Sequence, residues 1–291
     1  MQVQTKKWLY LLILSLIWGS SFILIKKSLI GLTPIQVGAL RIFFTTFFLF
    51  IVGFKTLKTI EKKDWKWIAL TGFLGSGFPP FLFALAQTEI DSSIASILNS
   101  LTPLNTIITG TFLFGILVSK RQILGVVIGL IGTIILISAG AEFNPDQNYW
   151  YSILIIIAAV FYALNVNMIK KYLGNTKALA ISTGNFALLV VPALILLWFT
   201  GFFETVLASK EMQESLLYVA VLSLFGTAIA KVLFNKLVLI ATPVFASSVT
   251  YTMTLIAILW GVLDDEQLSL YQLFGGAIIL LGVYLANKVS K

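Results

Sequence analysis

The chain contains no cysteine and no histidine. Their absence excludes disulfides, thiol nucleophiles, zinc sites built on Cys or His, haem ligation through His or Cys, and an imidazole pH switch. Charge is scarce as well. Only 11% of the 291 residues are Asp, Glu, Lys or Arg, against roughly a quarter in soluble domains. What fills the space is apolar: 58% of residues are hydrophobic and the mean hydropathy is +0.98. A water-soluble core of this size cannot hide so much apolar surface, so the composition describes a polytopic protein whose solvent is the bilayer.

Ten apolar runs are long enough to cross a membrane as helices, at about 20 residues each: 8–25, 34–54, 67–86, 93–117, 121–139, 151–169, 178–200, 216–235, 242–263 and 270–287. Turn chemistry or charge separates them, as at Gly31-Leu32-Thr33-Pro34, Asn144-Pro145-Asp146 and Asp264-Asp265. The first run follows Lys6-Lys7 like a secretory leader, but Gly19-Ser20-Ser21 sits inside it and Phe22-Ile23-Leu24 continues it, so it reads as a retained helix. With the N-terminus inside and strict alternation, the inner loops collect fifteen Lys and Arg and the outer loops three, while ten of the twelve acids fall outside. That asymmetry is the positive-inside pattern, and it accounts for the net charge of +8 without any nucleic acid. The expectation is a multi-pass protein of a bacterial-type cytoplasmic (inner) membrane, with both termini in the cytoplasm.

The chain repeats itself. Trp18 precedes Lys26-Lys27 at the spacing at which Tyr162 precedes Lys170-Lys171. Gly125 and Gly132 in the fifth run match Gly275 and Gly282 in the tenth, and Ala95-Ser96 in the fourth matches Ala246-Ser247 in the ninth. Corresponding runs lie five apart. Because five is odd, the second copy enters from the opposite face, and two inverted halves can hold a binding site between them near the midplane. The expected architecture is an all-α membrane protein: ten transmembrane helices as two inverted five-helix repeats, residues 1–140 and 149–291, around a central cavity.

Several phrases resemble a known family: WGSSFILIKK (Trp18–Lys27), ALRIFF with Arg41, DSSIASILNSLTPLNTIITG (Asp91–Gly110), and TPVFASSVTYTMTLIAILWGVLDDEQLS followed by Gly275. Over about 8–287 the chain looks like the EamA-type branch of the drug/metabolite transporter superfamily. The resemblance implies secondary transport of small metabolites, often export, with amino acids among the cargoes, through a cavity formed mainly by the first, third, fourth and corresponding second-half helices. There are departures. The family's glutamate nine residues before a glycine is Ile116 in the first half, before Gly125, and Glu266 in the second, before Gly275. A proline often found in the ninth span is Met253, whereas the fourth keeps Pro103, and Arg41 aligns with Asn185.

Polar residues inside the runs are the candidates for cargo contact, since unsatisfied polar groups in hydrocarbon are costly. Ser92, Ser96, Asn99, Pro103, Thr106 and Gly110 share one helical face. That face is either a cavity wall or a close helix contact. Pro103 frees the Asn99 carbonyl for a ligand or a neighbouring hydroxyl. Pro79-Pro80 are expected to break or kink the third helix beside Phe83. Trp18, its repeat partner Tyr162, and Asn165 are candidate cavity residues, as are Ser247 and Tyr251 on one stripe of the ninth run. Gly125-xxx-Gly129 suits helix or dimer packing. A homodimer is compatible with it, and a monomer is sufficient.

Two cations, Arg41 and Lys231, fall inside runs. Lys231 either snorkels toward the inner end or faces the cavity with Asn235 one turn on, and Arg41 is expected to make a structural tie. No acid lies within any run. Cationic cargo would be repelled, so neutral, zwitterionic or anionic cargo is expected, with Glu266 or Lys231 the residues open to coupling. Catalytic residues, metal sites and cofactors are not expected. The partners are a small-molecule substrate and the lipid bilayer. The leading expectation is an exporter of neutral or zwitterionic amino acids by alternating access. A carrier of lipid-linked or anionic metabolites and, less favoured, an intramembrane enzyme or a receptor-like protein are the alternatives.

Overall fold

The computed structural model describes residues 3–115, 119–144, 146–205 and 209–287. Ile116, Lys288 and Lys291 lie outside them. Each apolar run falls on a helix or a helical stack: α1 (Val3–Ser28), α2 (Pro34–Thr59), α3 (Lys62–Ala86), α4 (Ser92–Phe114), α5 (Lys120–Phe143), α6 (Tyr149–Tyr172), α7 (Ala178–Phe199), α8 (Lys210–Ile240), α9 (Pro243–Leu263) and α10 (Leu270–Asn287). No strand occurs among the described residues. Eight of the helices are long and apolar enough to cross a membrane, while α5 and α10 carry shorter apolar stretches, Ile123–Ala139 and Leu270–Gly282. The 26 residues of α1 rise about 39 Å at 1.5 Å per residue, beyond the ~30 Å hydrocarbon core. Phe112, Phe199 and Leu270 are more than four-fifths exposed. Such side chains are at ease only where lipid replaces water. The protein is an all-α, multi-pass membrane protein.

Local chemistry fixes the helix starts. Thr33 caps α2 through a reciprocal box with Gln36, and Pro34 takes the first turn, where its missing N–H costs nothing. Thr242-Pro243 starts α9 in the same way, with Thr242 Oγ1 accepting from Phe245 N at 3.2 Å.

Two contacts set the relation between the halves. In α5 and α10 a Cβ on Gly132 would meet Ile279 N and Gly275 O, and one on Gly282 would meet Gly125 O and Gly129 N. Rising residue numbers in α5 face falling numbers in α10, so these helices pack antiparallel with backbones in contact. Helices α2 and α7 do the same: Gln36 Nε2 donates to Thr200 O, Thr46 Oγ1 to Phe186 O, and Gly53 lies against Thr183. The other principal packings come in matched pairs five helices apart. Helix α1 lies on α9 as α6 lies on α4, and α3 lies on α6 as α8 lies on α1.

The third helix departs from expectation in an informative way. Pro79-Pro80 do not interrupt it. Phe73–Gly77 instead widens into a π-helical turn, and the helix resumes at Phe78. The prolines lack the N–H groups that would reach back to Gly75 O and Ser76 O, so those carbonyls are released rather than the helix broken. In α8 a longer π segment, Leu222–Ile229, occupies the matching position. Helix α4 is itself split, Ser92–Asn99 from Thr102–Phe114, and Thr102 Oγ1 donates to Asn99 O at 2.8 Å. The acceptor freed by Pro103 is taken by a neighbouring hydroxyl.

Candidate functional site

The two π segments face a common cavity of about 100 Å³, walled by α1, α2, α3, α4, α6, α8 and α9. Its walls carry Leu74-Gly75-Ser76 of one half and Phe225-Gly226-Thr227 of the other, of which the Gly and hydroxyl residues line the space. Glycine is needed at both places for the same reason. A Cβ on Gly75 would fall 2.6 Å from Lys231 Nζ and would press on Asn165, and one on Gly226 would meet Ser21 Oγ.

One carbonyl in each π segment accepts from a side chain. Lys231 Nζ donates to Gly75 O at 3.4 Å, and Trp18 Nε1 donates to Gly226 O at 2.9 Å. Lys231 is 6% exposed and lines the cavity, so its ammonium does not snorkel to the end of α8. Arg41 also lines it, and its Nε donates to Thr227 Oγ1 at 2.7 Å. The two cations repel one another, and Tyr162 lines the same cavity. Neither Arg41 nor Lys231 enters an ion pair with a described carboxylate, and no Asp or Glu lines the cavity. Asn165 Oδ1 and Ser76 Oγ, both buried at the cavity, have no protein partner. Phe22, Phe83 and Phe234 supply an apolar flank. Phe83 stacks on Tyr162, and Phe234 lies 5.0 Å from the Trp18 ring.

Of the residues singled out in the sequence, Trp18, Arg41, Phe83, Asn99, Tyr162, Asn165, Lys231 and Ser247 come together here. The rest are placed elsewhere. Pro79 is buried in α3, and Pro80 is the proline on the cavity. Asn235 does not orient Lys231; its Nδ2 donates to Ser182 Oγ at 2.9 Å, tying α8 to α7. Ser96 O accepts from Thr254 Oγ1 at 3.1 Å, joining α4 to α9. Pro103 is buried in α4 and Tyr251 is half-buried in α9, both off the cavity. Gly125 and Gly275 serve the α5–α10 contact. Asn185, aligned with Arg41, holds Ile68 O at 2.6 Å and Thr71 Oγ1 at 3.1 Å. Thr102, Gly226, Thr227 and Thr250 line the cavity without having been singled out. Matching Leu-Gly-Ser to Phe-Gly-Thr at a spacing of 151 would have found Gly226 and Thr227.

Glu266 lies away from the cavity, at the end of the bundle where α1 finishes and α4 begins. Its side chain is 1% exposed. Oε1 accepts from Ser92 N at 3.1 Å, Ser92 Oγ at 2.7 Å and Lys26 Nζ at 2.9 Å; Oε2 accepts from Ser93 N at 3.0 Å and from Ser93 Oγ. A carboxylate at a helix N-terminus meets free N–H groups and the favourable end of the dipole. Asp265, at φ 60, turns the chain to bring it there, and Gly261 leaves room for it. Asp264 pairs with Lys26 at 2.8 Å and with Lys27. Burial alone would raise the Glu266 carboxyl. The hydrogen bonds from Ser93, Ser92 and Lys26 outweigh it and hold the group below the usual glutamate range. Asp91, largely buried nearby, is raised. At the opposite end Lys170, the repeat partner of Lys26, donates among the described residues to the carbonyls of Val238 and Leu239, at 3.3 and 3.0 Å.

The apolar helices thus enclose a small cavity with a polar wall. The sequence profile described as the EamA-like transporter family matches residues 5–138 and 149–288; the chain belongs to that family. It is 26% identical over 280 residues to an uncharacterized inner membrane transporter of Escherichia coli, YedA, covering 94% of this chain and 88% of the relative. It is 23% identical to an uncharacterized transporter of Archaeoglobus fulgidus, over 97% of this chain and 99% of the relative. A shorter match, 24% identical over 55% of this chain and 52% of the relative, is to a probable amino-acid metabolite efflux pump of Salmonella typhimurium. A crystal structure with 18% identity superposes with a TM-score of 0.67, covering 97% of this chain and 96% of the other. The fold is shared.

Proposed function

We propose that the protein is a secondary transporter, working by alternating access, that exports small metabolites bearing a carboxylate, amino acids among them. The observation that carries the cargo reading is the pair Arg41 and Lys231 on the cavity wall with no carboxylate beside either. Two uncompensated cations inside a membrane protein are costly, and a cargo carboxylate supplies what is missing. The name of the Salmonella relative favours amino acids and the direction of export. Two inverted five-helix repeats are supported by the antiparallel α5–α10 and α2–α7 contacts, because corresponding helices of parallel repeats would run the same way.

In proteoliposomes, labelled leucine is expected to exchange by counterflow, whereas a cationic dye is not. Lys231→Ala should reduce the exchange about tenfold or more, the worth of a hydrogen bond to a charged group. Undiminished exchange by Lys231→Ala and Asn99→Ala together would remove the cavity from the reading. The orientation has its own test. The chain lacks cysteine, so single Gln2→Cys and Ser290→Cys variants can be labelled cleanly from either side. Both are expected to react only from the cytoplasm, and labelling from opposite faces contradicts the inverted arrangement.

A further inference from the structure

The number of cations on the cavity wall permits a sharper statement about cargo, resting on the transport reading above. Arg41 comes from α2 and Lys231 from α8, so the two charges come from different helices and line the same cavity. They repel each other, and neither has an anionic partner among the described residues. Arg41 is held by one atom: Nε is engaged by Thr227 Oγ1, which leaves the outer edge of the guanidinium fork to bind a carboxylate. Lys231 is held by one long bond to Gly75 O, at 3.4 Å, leaving further donors on its ammonium. A cargo with one carboxylate neutralises one of the two. A zwitterion neutralises one and adds a third positive charge to the same small space.

We infer that the preferred cargo is a small dicarboxylate, one acid group on the Arg41 guanidinium and the other on the Lys231 ammonium. The apolar stem between the acids lies against Phe83, Phe22 and Phe234, and Asn165 Oδ1 is left to accept a hydrogen bond from a hydroxyl on that stem when there is one. The same chemistry explains why, among the described residues, no carboxylate stands on the wall: a fixed one would compete with the cargo for the two cations. The volume of about 100 Å³ sets the scale at a few carbon atoms.

Calorimetry and counterflow with the full-length protein in nanodiscs and liposomes test this with four probes: succinate, butyrate, leucine and putrescine. Succinate is expected to bind at least tenfold more tightly than butyrate or leucine, and putrescine not at all. Lys231→Met and Arg41→Met should each weaken succinate about 10-fold or more beyond any loss of butyrate affinity, so that each variant loses its preference for the second acid group. Lys231→Arg should restore part of that preference. A loss of packing would weaken both ligands alike, and if one methionine variant does not fold, the other carries the comparison. Equal affinity for succinate and butyrate in the unmodified protein overturns the inference, as does a succinate affinity that neither methionine variant changes. Leucine exchange without succinate binding also overturns it while leaving the transport reading intact; exchange of no probe at all, with no binding, removes both.

Discussion

Gly275→Ala is expected to lower the melting temperature in detergent by roughly 3–10 °C, while Gly276→Ala one residue on is neutral or stabilising. The contrast follows from what each new methyl group meets. At Gly275 a Cβ would lie 2.8 Å from Leu136 N and 3.0 Å from Gly132 O, both main-chain atoms of α5. Main chain of a packed helix cannot step aside, so α5 and α10 must separate. Overpacking of this kind costs about 1–3 kcal/mol, with about 2–4 °C per kcal/mol for a chain somewhat smaller than this. At Gly276 the nearest atoms are side-chain carbons of Ile97 from 3.4 Å outward, an ordinary contact, and alanine gains up to about 1 kcal/mol of helix propensity. Thermal unfolding followed by circular dichroism decides it. Equal shifts at the two positions would mean that α5 and α10 do not pack by main-chain contact.

Glu266→Gln is expected to cost about 2–4 kcal/mol, the range for removing charge-assisted hydrogen bonds and one side of a buried ion pair. The amide keeps the shape of the side chain, but one of its two oxygens becomes an NH2 that faces donors: Ser92 N and Lys26 Nζ on one side, or Ser93 N on the other. Lys26 keeps Asp264 as a partner, which limits the loss. The acid dependence has a definite sign. Glu266 is held below the usual glutamate range in the folded protein. Its contribution is therefore complete at pH values above the unfolded-state pKa and disappears as the pH falls through the lower, folded-state value. Asp264, lowered by Lys26 and Lys27 in spite of its own partial burial, acts in the same direction. The gap in melting temperature between the unmodified protein and Glu266→Gln should thus be constant near neutrality and close only in strong acid. A gap that closes near pH 6 would show that the carboxylate network is not what the substitution breaks.

The sequence carried the helices because lipid allows so few alternatives: an apolar run of about 20 residues with its backbone bonds closed internally can only be a helix. It carried Lys231 and Arg41 as anomalies, since a cation in an apolar run has to be explained. It also carried the glycine register that joins α5 to α10. The behaviour of Pro79-Pro80 could not be read in advance. Proline removes a donor, and the acceptor it leaves, Gly75 O, finds Lys231, far away in sequence. Asn235 misled for a related reason. One-turn spacing puts it near Lys231, yet Ser182 on another helix claims its amide. Thr102 and Thr250 were hidden because each hydroxyl bonds its own preceding turn, at Asn99 O and Ser247 O, as hydroxyls in apolar helices ordinarily do, and yet both residues line the cavity.

The two ends of the bundle are fastened unequally. Where Lys26 and Lys27 grip Asp264 and Glu266, the corresponding Lys170 at the far end has, among the described residues, main-chain oxygens as its partners. One end is thus joined by paired charges and the other by neutral acceptors. Salt, which weakens partly exposed charge pairs far more than it weakens packed helices, is expected to loosen the first end before the second.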